Sequence, residues 1–148
     1  MNTTLAKQSA LEVLAHLACR RPASRLFPEE ADPVWEAPCQ KSLEDIQKRW
    51  GFLRKPIHVA VPQVQFRRNL RSATVHVDRH LVLPGTVWGL DDSTSIVSPA
   101  VCVAQFSREL GPVHLAELAC ALAGLYKFAP SSTGSILDAH PITTVGEI

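Results

Sequence analysis

No stretch of this chain comes near the roughly 20 consecutive apolar residues that cross a bilayer, so a membrane-spanning helix is excluded from the reading. Paired Cys-x-x-Cys motifs are also missing. Cys19, Cys39, Cys102 and Cys120 stand far apart, and at least three fall in apolar helical patterns, where cysteine acts as a small buried hydrophobe. Four free thiols are therefore expected in preference to two disulfides. No Gly-x-Ser-x-Gly elbow surrounds Ser98, which argues against a hydrolase of that type. Glu12, Glu44 and Glu117 fall on predicted helices with no lysine two residues later, so the acid-x-Lys arrangement of a restriction-like nuclease is lacking. These absences leave no catalytic residue to assign and no cofactor to expect, and the chain reads as non-enzymatic. The N-terminus, MNTTLAKQSALEVLAHLACRR, carries its basic pair after the apolar part, the reverse of a signal peptide, and a cytoplasmic protein is expected. No internal repeat is visible.

What is present is ordinary in bulk and uneven in detail. The 148 residues are 46% apolar and 20% charged, enough for one domain with its own core, and residues 1–148 are read as a single domain. The net charge of +1 conceals a basic centre and an acidic end. Residues 40–71 hold eight basic and two acidic groups, whereas residues 91–148 hold two basic and six acidic.

Thr3 or Thr4 is expected to cap an N-terminal helix whose Leu11, Leu14, Ala15 and Ala18 form one apolar stripe. Pro22, Pro28, Pro33 and Pro38 make residues 20–39 a connection without a long helix. Ser42, with Asp45 three residues on, resembles a capping box for a short helix from about Leu43 to Trp50, ended by Gly51. Alternation then predicts strands at Ile57–Val61 and Val75–Val77, another at Leu81–Leu83 before a Pro84-Gly85 turn, and two short ones at Thr86–Leu90 and Thr94–Val97. Ser98-Pro99 opens a helix with Val101, Cys102, Gln105, Phe106 and Leu110 at helical spacing. Gly111 ends that run, and Pro112 starts a second helix rich in Leu and Ala, so the two form a hairpin. Its alanines read as core packing, with a dimer face as the alternative. A loop at Pro130–Ser135 and a final helix start at Pro141–Val145 complete the pattern. The fold class is α+β: a small, mostly antiparallel sheet of three to five strands packed by an N-terminal helix and a C-terminal helical hairpin.

The segments PIHVAVP (Pro56–Pro62), VHVDRHLVLPG (Val75–Gly85), IVSPAVCVAQFSREL (Ile96–Leu110), LAELACALAGLY and PITTVGEI together resemble a known family. They are similar to the region of AbiEi-type antitoxin proteins that precedes a very-short-patch-repair-like nuclease domain. The positions that carry the likeness are His58, His76, Leu83-Pro84, Ser98-Pro99-Ala100, the Leu115–Tyr126 helix and Ile142-Thr143, all within residues 56–148. Many relatives place an Asp in a Thr-x-x-Asp pattern after Ser-Pro-Ala, where this chain has Cys102 and Gln105. The nuclease part is not in this sequence, and the N-terminal third shows no clear winged-helix signature. The resemblance implies a free-standing or truncated front module with an antitoxin-like or regulatory role.

Two constellations remain. His76-x-Asp78-x-His80 would put three ligands on one strand face, with His58 on a neighbouring strand as the only candidate fourth, although an exposed strand face is polar in any case and no metal is assigned. Lys48, Arg49, Arg54, Lys55, Arg67, Arg68 and Arg71, interleaved with Trp50, Phe52 and Phe66, have the composition of a surface for DNA or for an acidic protein, while a solvated basic face is the plain alternative. Trp50 and Phe52 are more often core anchors than stacking platforms. The leading expectation is an antitoxin-like interaction module that binds DNA, or a partner such as a toxin or immune-complex protein, through this block. The alternative is an anti-CRISPR-like inhibitor of a bacterial immune or nuclease complex, carried on a mobile element. A degenerate fragment that only oligomerises is a third reading.

Overall fold

The central strand of the sheet is the segment that its threonines suggested as a helix cap. β1 (Thr3–Leu5) is a strand, and only after Ala6 does the chain turn into α1 (Lys7–Arg20). The computed structural model describes residues 3–20, 35–123, 127–128 and 136–137. Most of the Pro-rich connection, the Pro130–Ser135 loop, the final helix start and the side chains of Ala18 and Cys19 lie outside the described residues. The chain divides into two compact units, Met1–Val13 with Pro28–Ser98, and Leu14–Phe27 with Pro99–Ile148.

The first unit is built on five strands in the order β3-β2-β1-β5-β4, with β2 at Ile57–Val61, β3 at Ala73–Val77, β4 at Val87–Asp91 and β5 at Thr94–Val97. β1 pairs antiparallel with β2 and parallel with β5, β2 pairs parallel with β3, and β4 and β5 form a hairpin. The α+β architecture expected from the sequence is present, but the sheet is mixed instead of mostly antiparallel: its four pairings divide evenly, because β1 runs parallel to β5 and β2 parallel to β3.

Alternation gives each face its character. Leu5 lies between Val59 and Ile96, and all three are essentially inaccessible. Burying each such side chain contributes about 1.5–3 kcal/mol, which lets a three-residue strand hold the middle of a sheet. Thr4 and Ser95 face the other way, both buried, and satisfy each other through a 2.8 Å hydroxyl contact. Thr3 Oγ1 donates to Ser42 Oγ at 3.2 Å, linking β1 to α2 (Gln40–Arg49), which buries Leu43 and Ile46. α2 starts three residues before the expected Leu43, and Ser42 is not its cap. Cys39 holds that position. Ser42 Oγ accepts the Cys39 amide at 3.3 Å and donates to the Cys39 carbonyl at 2.8 Å, so the serine reaches back from the third helical residue.

The exit from β1 is equally local. Ala6 N–H donates to the His58 carbonyl at 3.0 Å, and the His58 amide, losing its strand partner as the chain turns, donates to Ser9 Oγ at 2.9 Å. Lys7 makes that turn at a φ of 44°. In α1 the buried positions are Ser9, Ala10, Val13 and Leu14, with Ala6 just before it, while Ala15 is exposed. The expected stripe is therefore rotated, because Ala6, Ala10 and Val13 fall on one helical face with Leu14 beside it.

A 3-10 turn at Arg79–Val82 replaces the strand expected at Leu81–Leu83. Asp78 Oδ1 accepts the His80 amide at 3.1 Å and starts that turn, and Leu81 is buried as its anchor. The Pro84-Gly85 turn follows as expected, with Gly85 at a φ of 74° and Thr86 N–H donating to Leu83 O. Between Gly89 and Asp91 the β4–β5 register shifts, a bulge that re-aims the end of β4.

In the second unit α3 (Pro99–Phe106) and α4 (Pro112–Leu122) pack as the expected hairpin. α3 ends at Phe106, before Leu110, where Ser107 Oγ donates to Ala104 O at 2.7 Å and the amides of Glu109 and Leu110 turn back to Phe106 O. Gly111 then caps α4, with Pro112 in its first turn. Cys102, Val103, Leu122 and Ala123 are buried. β6 (Lys127–Phe128) and β7 (Ile136–Leu137) form an antiparallel ribbon that the sequence reading did not include. Among the described residues no helix is long and apolar enough to cross a membrane.

Candidate interaction surface

The basic block between residues 48 and 71 separates into two groups once folded. Lys48 and Arg49 close α2, where cations suit the exposed carbonyls of the last turn. Lys48 Nζ lies 3.7 Å from Asp45 Oδ1, both exposed. Arg49 reaches across to Asp91, which the bulge in β4 presents to it. Asp91 Oδ1 also accepts the Ser93 amide and hydroxyl, each at 2.9 Å. Partial burial pushes the Asp91 carboxyl up, but the hydrogen bonds from Arg49 and Ser93, with the guanidinium charge, outweigh it and hold the group below its ordinary value. The same pairing raises Arg49. Arg54 points Nε to Glu12 Oε1 at 3.6 Å, and its amide donates to Glu12 Oε2 at 3.1 Å. These three cations therefore face carboxylates of their own unit.

Lys55, Arg67, Arg68 and Arg71 form the other group. All four are exposed, and among the described residues none makes an ion pair. Lys55 precedes the cis peptide bond to Pro56. The arginines follow a 3-10 turn at Val64–Phe66, closed by Arg67 N–H donating to Val64 O at 2.9 Å, and the chain then bridges back from Leu70 to Ala73 at the start of β3. This hook leaves an open groove of about 540 Å³ between the Arg67–Asn69 segment and β3, with Val64, Thr74 and Val75 on its walls.

Trp50 and Phe52 pack edge to face with centroids 5.9 Å apart; Trp50 is half-buried and Phe52 is exposed. Phe66 is half-buried.

A second cavity, of about 300 Å³, is lined by Cys39, Lys41, Ser42, Asp45, Ile46, Arg49, Ser93 and Thr94. Cys39 caps α2 here, and the Ser42 amide lowers its thiol pKa, opposed by burial and helped by the Ser42 hydroxyl and by Lys41. Sequence reasoning counted Cys39 only as one of four thiols. Its place just after Pro38, three residues before a serine that reaches back to it, was the available signal.

The four metal candidates fall into two pairs. His58 Nδ1 and His76 Nε2 meet directly at 2.8 Å with their rings nearly parallel, a hydrogen bond in which one ring donates and the other accepts. Asp78 and His80 pair with each other at 3.1 Å. Because β3 ends at Val77, His80 sits in the 3-10 turn, and the shared strand face expected for His76, Asp78 and His80 does not extend to it. Among the described residues no three His, Cys, Asp or Glu side chains are grouped to hold a metal ion.

Comparison with protein-family models, curated proteins and solved structures finds no match to this chain.

Proposed function

We propose that this chain is a non-enzymatic, antitoxin-like or regulatory interaction module of the cytoplasm that works by occupying an acidic surface of a partner protein, without making or breaking bonds. The observation that carries this reading is the division of the basic block. Lys48, Arg49 and Arg54 face Asp45, Asp91 and Glu12, whereas Arg67 and Arg68 line a groove and, like Arg71, are exposed with no ion pair among the described residues. A duplex is held by many cations spaced along its phosphates, and Arg49, engaged with Asp91, is withdrawn from that supply. A pair of neighbouring exposed arginines suits a local acidic patch. The likeness of residues 56–148 to the AbiEi-type region supports a bacterial defence setting, with a toxin or a nuclease as the partner.

Fluorescence anisotropy with duplex DNA, single-stranded DNA and a glutamate-rich peptide, each at low and moderate salt, tests this against the Arg67→Ala, Arg68→Ala, Arg71→Ala triple variant. Binding of the peptide with loss in the variant supports the reading. Salt-sensitive binding to DNA alone replaces it with a nucleic-acid function. Capture of an intact immune or nuclease complex, with loss of that complex's activity, selects the stand-alone inhibitor.

A further inference from the structure

Among the described residues the sheet has an open side at β3. Ile57 N–H donates to Ser72 O and Asp78 N–H donates to Val61 O, both at 2.9 Å, which sets the phase of the parallel ladder. Alternate residues of a strand direct their amides and carbonyls to the same neighbour. Ser72, Thr74, His76 and Asp78 therefore turn theirs toward β2, and Ala73, Val75 and Val77 turn theirs outward. Leu70 bridges Ala73, and among the described residues no strand pairs with β3 beyond it. Edge strands are usually blunted by charge, proline or a bulge. β3, Ala-Thr-Val-His-Val, has no Lys, Arg, Asp, Glu or proline, its register with β2 is regular over all five residues, and it faces the groove flanked by Arg67 and Arg68.

We propose that this edge takes up an extended acidic segment of a partner protein by strand addition, its backbone pairing with Val75 and Val77 while its acidic side chains meet Arg67 and Arg68. The proposal rests on the acidic-partner reading above and gives it a mode. The edge offers donors and acceptors in alternation, which a peptide backbone reciprocates and a phosphodiester, an acceptor only, does not. A second copy of β3 at the same edge would bring two arginine clusters together, so like charges oppose that occupant. Val64, 68% exposed on the groove wall, provides an apolar contact for a side chain of the incoming strand.

The probe is an eight-residue peptide of alternating Glu and Val, titrated to millimolar concentration into the full 15N-labelled chain, beside two versions N-methylated at every Glu or at every Val. All residues of one parity direct their amides to one edge, so strand addition requires one methylated version to bind about tenfold more weakly than the other. The Val75 and Val77 amides should shift with the parent peptide, and the Arg67→Ala, Arg68→Ala variant should bind it about tenfold more weakly. Equal binding of both methylated peptides, with shifts confined to Arg67 and Arg68, overturns strand addition and leaves the acidic-partner reading standing. No binding by any peptide, with salt-sensitive binding of duplex DNA, overturns both.

Discussion

Two cysteines show how position sets chemistry in this chain. Cys39 receives the Ser42 amide at the start of α2 and its thiol is lowered, whereas burial pushes the Cys102 thiol up to about 12. Because the thiolate is the nucleophile, Cys39 should be alkylated by iodoacetamide at pH 7 faster than Cys102 by more than about tenfold, as read by peptide mass spectrometry of the native protein. Equal rates would mean that α2 does not hold its thiolate. Asp91 makes a corresponding statement about pH. Its carboxyl lies below the ordinary 3.8 in the folded chain, so it favours folding above that value, and the contribution disappears as pH falls through the lower folded value. Asp91→Asn should lower the Tm at pH 7, and the gap from wild type should close below pH 3.8. A gap that persists at low pH would assign the loss to packing instead of to the Arg49 pair.

Among the elements, β1 carries the most structure per residue. It joins the β2–β3 pair to the β4–β5 hairpin, and without it the sheet separates into two ribbons. Leu5→Ala should cost about 2–5 kcal/mol in urea unfolding, the range for an aliphatic side chain removed from a packed core. Deleting residues 1–6 should abolish cooperative unfolding altogether. The arginine hook before β3 should behave in the opposite way. Replacing Arg67, Arg68 and Arg71 by alanine should change stability by less than about 0.5 kcal/mol while removing acidic-partner binding, since exposed side chains away from the core contribute little to folding. A large stability loss would show that these residues hold the fold.

At the scale of the whole molecule, a net charge of only +1 means that attraction to an acidic partner comes from the local cluster and not from the chain's overall field. Affinity should therefore fall as salt rises from 0.01 to 0.15 M, where screening shortens to about 8 Å, and the triple arginine variant should lose most of that dependence. Much of the architecture was legible beforehand because it rests on local rules. Alternation marked β2 and β3, Pro84-Gly85 marked its turn, and Ser98-Pro99 with Gly111-Pro112 marked the two helix starts of the hairpin. Those signals lie within a few residues of what they determine. The role of Thr3–Leu5 was not legible, since a three-residue strand has no periodicity of its own and is made by Val59 and Ile96, distant in sequence, closing on Leu5. The basic block was visible as composition. Its division was not, because Arg49 and Arg54 pair with Asp91 and Glu12, acids that folding alone brings to them. The sequence by itself determined the α+β pattern, the turns and the density of positive charge. Only the tertiary structure decided which strand is central, which described edge is open and which arginines meet carboxylates, because each depends on long-range pairing that no local pattern encodes.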